Sequence, residues 1–126
     1  MDITRAVINL KSLQHNLQVL QERAPKSKVL AVIKANAYGH GMVKIAGTLK
    51  GVYGFGVARL NEAIILRNAG INKPIILLEG FFYNDDISSL VEYNLQCVVH
   101  SQEQIDALKK EKLKKPLQIW LKIDTG

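Results

Sequence analysis

Five short apolar runs recur along the chain and define its predicted architecture. They are Lys28–Ile33, Gly54–Val57, Pro74–Leu78, Gln96–Val99 and Leu117–Ile123. Most of them are continuously apolar rather than alternating, which is typical of strands that are covered on both faces in a parallel sheet. Counted from positions 28, 54, 75, 96 and 117, the runs recur at intervals of about 21 to 26 residues, which is the spacing of βα units.

Between these runs the apolar positions recur with the period of a helix. The stripes of this kind are Leu10–Leu20, Met42–Leu49, Leu60–Arg67, Ile87–Asn94 and Ile105–Leu108. Asn9 is placed to cap the first stripe, and Ser101 with Gln104 has the spacing of a capping box before the last. These positions predict five amphipathic helices that alternate with the strands.

A helical bundle would also show such stripes, but the intervening runs are too short and too rich in valine and isoleucine for helices. A closed (β/α)8 barrel needs eight units and roughly 250 residues, whereas this chain stops at Gly126, directly after its fifth strand. An open doubly wound sheet normally covers its last strand with a helix. We therefore predict an α/β fold in which residues 1–126 form the amino-terminal portion, about five βα units, of a (β/α)8 TIM-type barrel.

The composition excludes several classes of protein. Of the 126 residues, 48% are hydrophobic and 22% are charged, which is ordinary for a globular chain and argues against disorder. The single cysteine, Cys97, excludes a disulfide scaffold, and no apolar run approaches the roughly 20 residues that cross a bilayer. The start, Met1–Arg5, lacks the basic and apolar regions of a secretory signal. We therefore expect a cytoplasmic protein without a membrane partner.

The formal net charge of +6 raises the question of a nucleic-acid partner. Five of the lysines lie in Lys109–Lys115, at the predicted end of a helix, where cations complement the helix dipole and stay in water. No aromatic residue interleaves with them to stack on bases. We expect no nucleic-acid partner.

The candidate chemistry lies in Lys34–Gly41, which follows the first strong strand directly. Side chains at the carboxyl ends of parallel strands face the site in this class of fold. A neutral amine on Lys34 would attack an aldehyde to form a Schiff base, which is how pyridoxal phosphate is attached. Tyr38 offers a phenol to a phosphate oxygen, and Gly39 and Gly41 let the backbone approach an anion at the start of the next helix.

Each of these features also has an ordinary structural explanation. A lysine after a strand is usually a solvated loop charge, and Gly39–Gly41 is a common type of turn. No second ligand stands at metal spacing from His100, so no metal site is predicted. His40 is expected to support the loop, and Cys97, inside an apolar strand, is interpreted as a packed core thiol.

The string Ala31–Gly41, which reads Ala-Val-Ile-Lys-Ala-Asn-Ala-Tyr-Gly-His-Gly, resembles the pyridoxal-phosphate attachment signature of bacterial alanine racemases. Gly54–Ala63 resembles the second strand and following helix of that family, and Pro74–Phe82 resembles its third-strand region. Trp120–Gly126 resembles the family segment that precedes a Met-x-Arg-Leu-Gly continuation. The resemblance runs over essentially the whole chain, and the first motif is its most specific part.

The resemblance implies a larger protein with a defined activity. Family members are homodimers with an amino-terminal barrel and a carboxyl-terminal β domain, and the partner subunit completes each active site at the barrel mouth. They use pyridoxal 5'-phosphate to interconvert L-alanine and D-alanine, which supplies D-alanine for peptidoglycan. The intact protein is therefore expected to be a homodimeric alanine racemase. Because the carboxyl-terminal domain is absent from this chain, residues 1–126 alone are expected to be inactive.

The resemblance also implies roles for three residues. The lysine that matches Lys34 holds the cofactor covalently and is the catalytic base on the D-alanine side. The tyrosine that matches Tyr38 binds the cofactor phosphate. The lysine that matches Lys122 is carbamylated in some members and positions an arginine that lies beyond Gly126. The second base, a tyrosine in the family, comes from the partner's carboxyl-terminal domain and has no match in this chain.

Two alternative functions remain open at the level of sequence. A non-catalytic barrel protein of pyridoxal-phosphate homeostasis would use the same fold, but its members lack the Asn-Ala-Tyr-Gly-His-Gly continuation. A broader-specificity amino-acid racemase would share Lys34 and Tyr38, because the residues that exclude larger side chains lie mostly downstream. The prediction of alanine as the substrate therefore rests on the resemblance.

Overall fold

The computed structural model describes residues 4–126. Of the amino-terminal segment Met1–Arg5, which lacks the pattern of a secretory signal, the first three residues lie outside the described range. The strands are β1 (Leu30–Val32), β2 (Gly54–Val57), β3 (Ile75–Leu77), β4 (Gln96–Val99) and β5 (Ile119–Leu121). The helices are α1 (Leu10–Arg23), α2 (Lys34–Tyr38), α3 (Met42–Thr48), α4 (Leu60–Asn68), α5 (Asp85–Glu92) and α6 (Gln102–Lys110). The five predicted strands and five predicted helices are confirmed, and α2 is an additional element in a segment that the sequence presented as a loop.

The described strands form one parallel sheet in chain order, β1-β2-β3-β4-β5. Across it, Val32 pairs with Gly56, Gly56 pairs with Ile76, and Ile76 pairs with Gln96. A doubly wound sheet reverses its strand order at a switch point, whereas consecutive parallel strands with helical crossovers build the wall of a (β/α)8 barrel. The predicted α/β class and barrel arrangement are confirmed.

The sheet has two faces with different surroundings. The core that the helices cover contains alternate residues of the central strands, namely Phe55, Val57, Ile75, Leu77, Cys97 and Val99. Because successive side chains of a strand alternate, Gly56, Ile76 and Val98 lie on the opposite face. On that face the outer strands are more open, since Val32 is 41% exposed and Trp120 is 44% exposed. The central strands are thus buried on both faces, as predicted.

Capping follows the sequence at both ends of the chain. The Asn9 side chain accepts a hydrogen bond from an amide of the first turn of α1 at 3.0 Å. The Ser101 hydroxyl accepts from the Gln104 N–H at 3.3 Å, and the Gln104 side chain accepts from the His100 N–H at 2.8 Å. The lysines of Lys109–Lys115 begin in the last turn of α6 and are exposed, as expected for a solvated helix end.

Arg67 has a role that its place in an apolar stripe did not suggest. Its guanidinium donates to the carbonyl oxygens of Ile71 and Lys73, before β3, at 2.6 and 2.8 Å. It also donates to the carbonyl oxygens of Tyr93 and Asn94, before β4, at 2.8 and 2.9 Å. Burial lowers the pKa of Arg67, but a guanidinium stays charged at neutral pH. One side chain therefore ties α4 to the amino ends of two strands.

We expect Arg67→Met to lower the free energy of unfolding by about 3 kcal/mol, because methionine fills space but leaves four carbonyl groups without their charged donor. Urea unfolding of the protein measures this change. The control is Arg23→Met, since Arg23 is an exposed arginine in the last turn of α1 and its loss should cost less than about 0.5 kcal/mol. Equal losses in the two variants would show that the hydrogen bonds of Arg67 contribute nothing.

Cys97 is fully buried in β4, which confirms the core-thiol interpretation, and burial raises its pKa to about 11. Because folding raises this pKa, the unfolded chain ionises at a lower pH than the folded one. The resulting contribution to the free energy of unfolding is complete below the ordinary thiol pKa of 9.0 and is lost as the pH rises toward 11. Between about pH 8 and about pH 10.5, the urea midpoint of the wild type should fall further than that of Cys97→Ala. Parallel falls in the two proteins would contradict the raised pKa.

Candidate functional site

The carboxyl ends of the described strands form one rim, because all of these strands run parallel. The residues that follow the strands at this rim are Lys34, Ala58, Arg59, Glu79, His100 and Lys122. Of the sequence-predicted site residues, Lys34 and Tyr38 are brought together, since they are the first and last residues of α2. Lys122 lies at the same rim but follows β5, at the opposite edge of the sheet from β1.

The α2 segment is a left-handed turn. Ala35, Asn36 and Ala37 have φ of 51° to 54° and ψ of 45° to 49°, and Tyr38 has φ of 53°. These are the dihedral angles of a left-handed helix, which costs roughly 1–2 kcal/mol for each residue that is not glycine. Four such residues in succession are rare. The backbone that follows Lys34 is therefore strained, and other contacts must hold it in place.

Local hydrogen bonds close the turn. The Ala37 N–H donates to the Ile33 carbonyl at 2.8 Å, and the Gly41 N–H donates to the Asn36 carbonyl at 2.9 Å. The Asn36 side chain accepts from the Met42 N–H at 2.9 Å. Asparagine tolerates the left-handed conformation better than most residues, because its side chain can bond to nearby backbone in this way. The turn is thus tied to the start of α3.

This bonding determines which amides near the start of α3 remain available to an anion. The Met42 and Gly41 amides are both occupied by Asn36, through its side chain and its carbonyl respectively. Gly39 and Gly41 do have the expected left-handed conformation, with φ of +85° and +90°. A Cβ at either position would meet nothing within 4 Å, so backbone conformation, not protein crowding, requires glycine there.

His40 supports the turn, as expected. Its Nδ1 lies 2.8 Å from the Ala37 carbonyl oxygen. Because a carbonyl only accepts, this contact assigns the ring proton to Nδ1.

The other two histidines, His15 and His100, are exposed. Among residues 4–126, no three His, Cys, Asp or Glu side chains are grouped as metal ligands.

Glu62 is a site residue that the sequence analysis missed. Its Oε1 accepts from the Ala35 N–H at 2.6 Å, and its Oε2 accepts from the N–H groups of Ala58 and Arg59 at 2.8 and 2.9 Å. One carboxylate thus joins the turn after β1 to the loop after β2. The available signal was a glutamate in the first turn of α4, where a carboxylate caps free amides.

Lys34 and Tyr38 differ in exposure. Lys34 is half-buried, and the Tyr38 side chain is 60% exposed. Lys34 lies two residues after Val32, which shares a sheet face with Gly56. The amine therefore follows a strand position on the inner face of the barrel wall, and the phenol at the far end of the turn is open to a ligand.

A cationic residue borders the neighbouring part of the rim. Arg59 Nε lies 3.8 Å from Glu79 Oε2, and its guanidinium lies 4.6 Å from the centre of the Phe82 ring. These contacts connect the loops after β2 and β3. Both charged side chains are largely exposed, so the ion pair contributes little to stability.

Within the part of the chain that the structure describes, no helix is long and apolar enough to cross a membrane.

Residues 8–126 match the family model described as alanine racemase, N-terminal domain. The chain is 54% identical to the alanine racemase of Pectobacterium carotovorum subsp. carotovorum and 51% identical to the biosynthetic alanine racemase of Escherichia coli O6:H1. Both alignments cover 100% of this chain and 35% of the relative. The chain therefore spans about a third of the length of these curated relatives.

The fold is also similar to that of solved structures. The crystal structure of the biosynthetic alanine racemase from Pseudomonas aeruginosa matches with a TM-score of 0.87 and 36% sequence identity. This match covers 93% of the present chain and 33% of that protein. The alanine racemase from E. faecalis matches with a TM-score of 0.86 and 38% identity, over 94% of this chain and 33% of that one.

Proposed function

The chain belongs to the alanine racemase N-terminal domain family, and from this we propose that the full-length protein that carries it interconverts L-alanine and D-alanine with pyridoxal 5'-phosphate. The observation that carries the proposal is the position of Lys34. This lysine is half-buried at the carboxyl end of β1 and begins the strained turn that ends at Tyr38. Strain held at a strand end is typical of a functional site.

We propose that residues 1–126 are part of a barrel domain, that a carboxyl-terminal β domain belongs to the same protein, and that the protein is a cytoplasmic homodimer. The share of the relatives that the chain covers supports the first two points. The open edges of the sheet support the first point as well, because within the described residues β1 and β5 each pair with one strand. Further strands of a barrel would pair with both edges.

The residues at the rim fit this cofactor. Lys34 supplies the primary amine that an aldehyde needs, and Tyr38 supplies an accessible hydroxyl donor for a phosphate oxygen. Val32, which lies two residues before Lys34 and is 41% exposed on the inner face, presents an apolar surface to an aromatic ring. When bound, the cofactor supplies a conjugated system that accepts the charge left when the Cα–H bond of alanine breaks.

We propose that Lys34 moves the proton on one face of the substrate. The Cα proton of alanine is too weakly acidic for an unaided amine, so Lys34 removes or returns it only while that charge is delocalised. Inversion requires a second base on the opposite face. We propose that this base comes from the partner subunit, and residues 1–126 alone would then not racemise alanine.

We propose that Lys122 positions an arginine outside this chain, and that it is carbamylated. Its N–H donates to the Val99 carbonyl at 2.9 Å, which extends the pairing of β4 and β5 and holds the residue at the rim. Its side chain is exposed and therefore accessible to carbon dioxide. Intact-mass measurement before and after acid treatment, which removes a carbamate, tests this assignment.

Chiral chromatography of reactions with the full-length protein tests the proposed function. Formation of D-alanine from L-alanine, and of L-alanine from D-alanine, with dependence on added pyridoxal phosphate supports alanine racemase. Bound cofactor without turnover of any amino acid would indicate the non-catalytic alternative. Equal turnover of alanine and of larger amino acids would indicate a broader-specificity racemase.

A further inference from the structure

The Glu62 carboxylate binds the backbone directly after Lys34. It accepts the N–H of Ala35, which is the residue after Lys34 and the first left-handed residue of the turn. The bonds from Ala37 to Ile33 and from Gly41 to the Asn36 carbonyl join residues of the same local segment. The bond to Glu62 instead reaches a residue 27 positions away, at the start of α4. It therefore fixes the turn relative to the neighbouring part of the barrel wall.

The chemistry of these bonds requires a carboxylate of this length. Both oxygens of Glu62 face backbone donors, with Ala35 on one side and Ala58 and Arg59 on the other. A glutamine would turn its NH2 group toward one of these sets of donors and lose the corresponding bonds. An aspartate is one methylene shorter and, from the same helix position, cannot reach both sets. Of the two acidic side chains, only glutamate can therefore bridge the turn after β1 and the loop after β2.

Resting on the proposed function, we propose that Glu62 is a positioning residue that sets the location of the Lys34 amine relative to β2. It acts through the Ala35 amide and takes no part in proton transfer. Its carboxylate compensates the strain of the turn at the residue where the left-handed conformation begins. A displacement of about 1 Å at a reacting group can cost on the order of a hundredfold in rate, so loss of this bond should reduce turnover more than substrate binding.

The test compares Glu62→Gln with Asp86→Asn in the full-length protein. Asp86 is a matched control, because its Oδ2 accepts from the N–H groups of Phe82 and Tyr83 at 3.3 and 3.2 Å, before α5. For Glu62→Gln we expect kcat for alanine to fall about 30-fold while KM changes by less than about threefold. For Asp86→Asn we expect kcat within about twofold of the wild type. Asp86→Asn removes the charge but keeps an oxygen that can accept both bonds. An equal fall of kcat in the two variants would show that lost charge, and not the Ala35 bond, causes the effect, and would overturn the positioning role.

A second readout does not depend on activity. In the cofactor-free protein, hydrogen exchange of the Ala35 amide should accelerate about tenfold or more in Glu62→Gln and remain unchanged in Asp86→Asn. Glu62→Asp is the second variant: it retains a charged cap for Ala58 and Arg59, and we expect faster Ala35 exchange with a reduced kcat. Wild-type kcat in Glu62→Asp despite faster Ala35 exchange would overturn the role of this bond.

The outcomes separate this inference from the proposed function. If the wild-type protein binds cofactor at Lys34 and racemises alanine, but Glu62→Gln matches it in kcat and in Ala35 exchange, the positioning role is wrong and the function stands. If the wild type carries no lysine-bound cofactor, the proposed function fails. Faster Ala35 exchange in Glu62→Gln would then still show that Glu62 holds the turn, but the role toward an active amine would be overturned.

Discussion

Lys34→Ala in the full-length protein is expected to lower kcat for alanine racemisation by about ten-thousand-fold or more and to remove the absorbance of the lysine-bound cofactor. The physical reason is that one amine serves two purposes, as the attachment point for an aldehyde and as the base on one face of the substrate. Removal of both leaves only a binding surface. Absorbance spectra of the purified protein and chiral analysis of the reaction measure the two losses.

Two further variants separate the chemistry of the amine from its charge. Lys34→Arg keeps the positive charge, but a guanidinium does not deprotonate in proteins, so it should be as inactive as the alanine variant. Lys44→Ala, which removes an exposed lysine of the neighbouring helix α3, should retain both absorbance and activity. Borohydride trapping followed by mass spectrometry locates the adduct. An adduct on any lysine other than Lys34 would refute the assignment.

Ala35→Val is expected to reduce kcat by about a hundredfold or more, because a β-branched side chain is a severe outlier at positive φ and the left-handed turn would have to rearrange. Ala35 is exposed, so crowding of the core by the larger side chain does not explain the effect. The same substitution should lower the free energy of unfolding by about 2 kcal/mol. Steady-state kinetics and urea unfolding measure the two quantities.

If the backbone at Ala35 is strained, glycine and valine at this position should differ in effect. Ala35→Gly should leave kcat near that of the wild type and should not lower stability, because glycine occupies the left-handed region without strain. The control is Ala69→Val, at an exposed alanine after α4 whose φ is −80°. We expect a change of less than about 0.5 kcal/mol there. If Ala35→Val behaves like Ala69→Val, the turn is not strained in solution.

The fold could be predicted from the sequence because its signals are local. Continuous apolar runs such as Ile75–Leu77 can be satisfied only by burial on both faces, and the helical stripes between them occur at the spacing of βα units. The capping prediction at Ser101 was equally local, since donor and acceptor are three residues apart. Such patterns are present in the sequence before any tertiary contact forms.

The site could be predicted only in part. Lys34 and Tyr38 were found because their motif is short and contiguous, and their roles stay predictions until the experiments above are done. The left-handed turn was missed, since Ala35 and Ala37 carry no sequence signal for positive φ. Arg67 was assigned to an apolar stripe by its spacing alone. Its bonding role was missed because its four carbonyl partners belong to two other loops.

The sequence by itself determined the order and type of every element except α2, the strand that precedes Lys34 and the family to which the chain is similar. Tertiary structure decided how the turn after Lys34 is held, since Glu62 meets Ala35 only because β1 and β2 are neighbours in the sheet. A bond between residues 27 positions apart leaves no periodic trace in the sequence. The physical reason is that periodicity reports which face of an element is buried, whereas the conformation of a strained loop depends on partners that only folding brings within hydrogen-bonding distance.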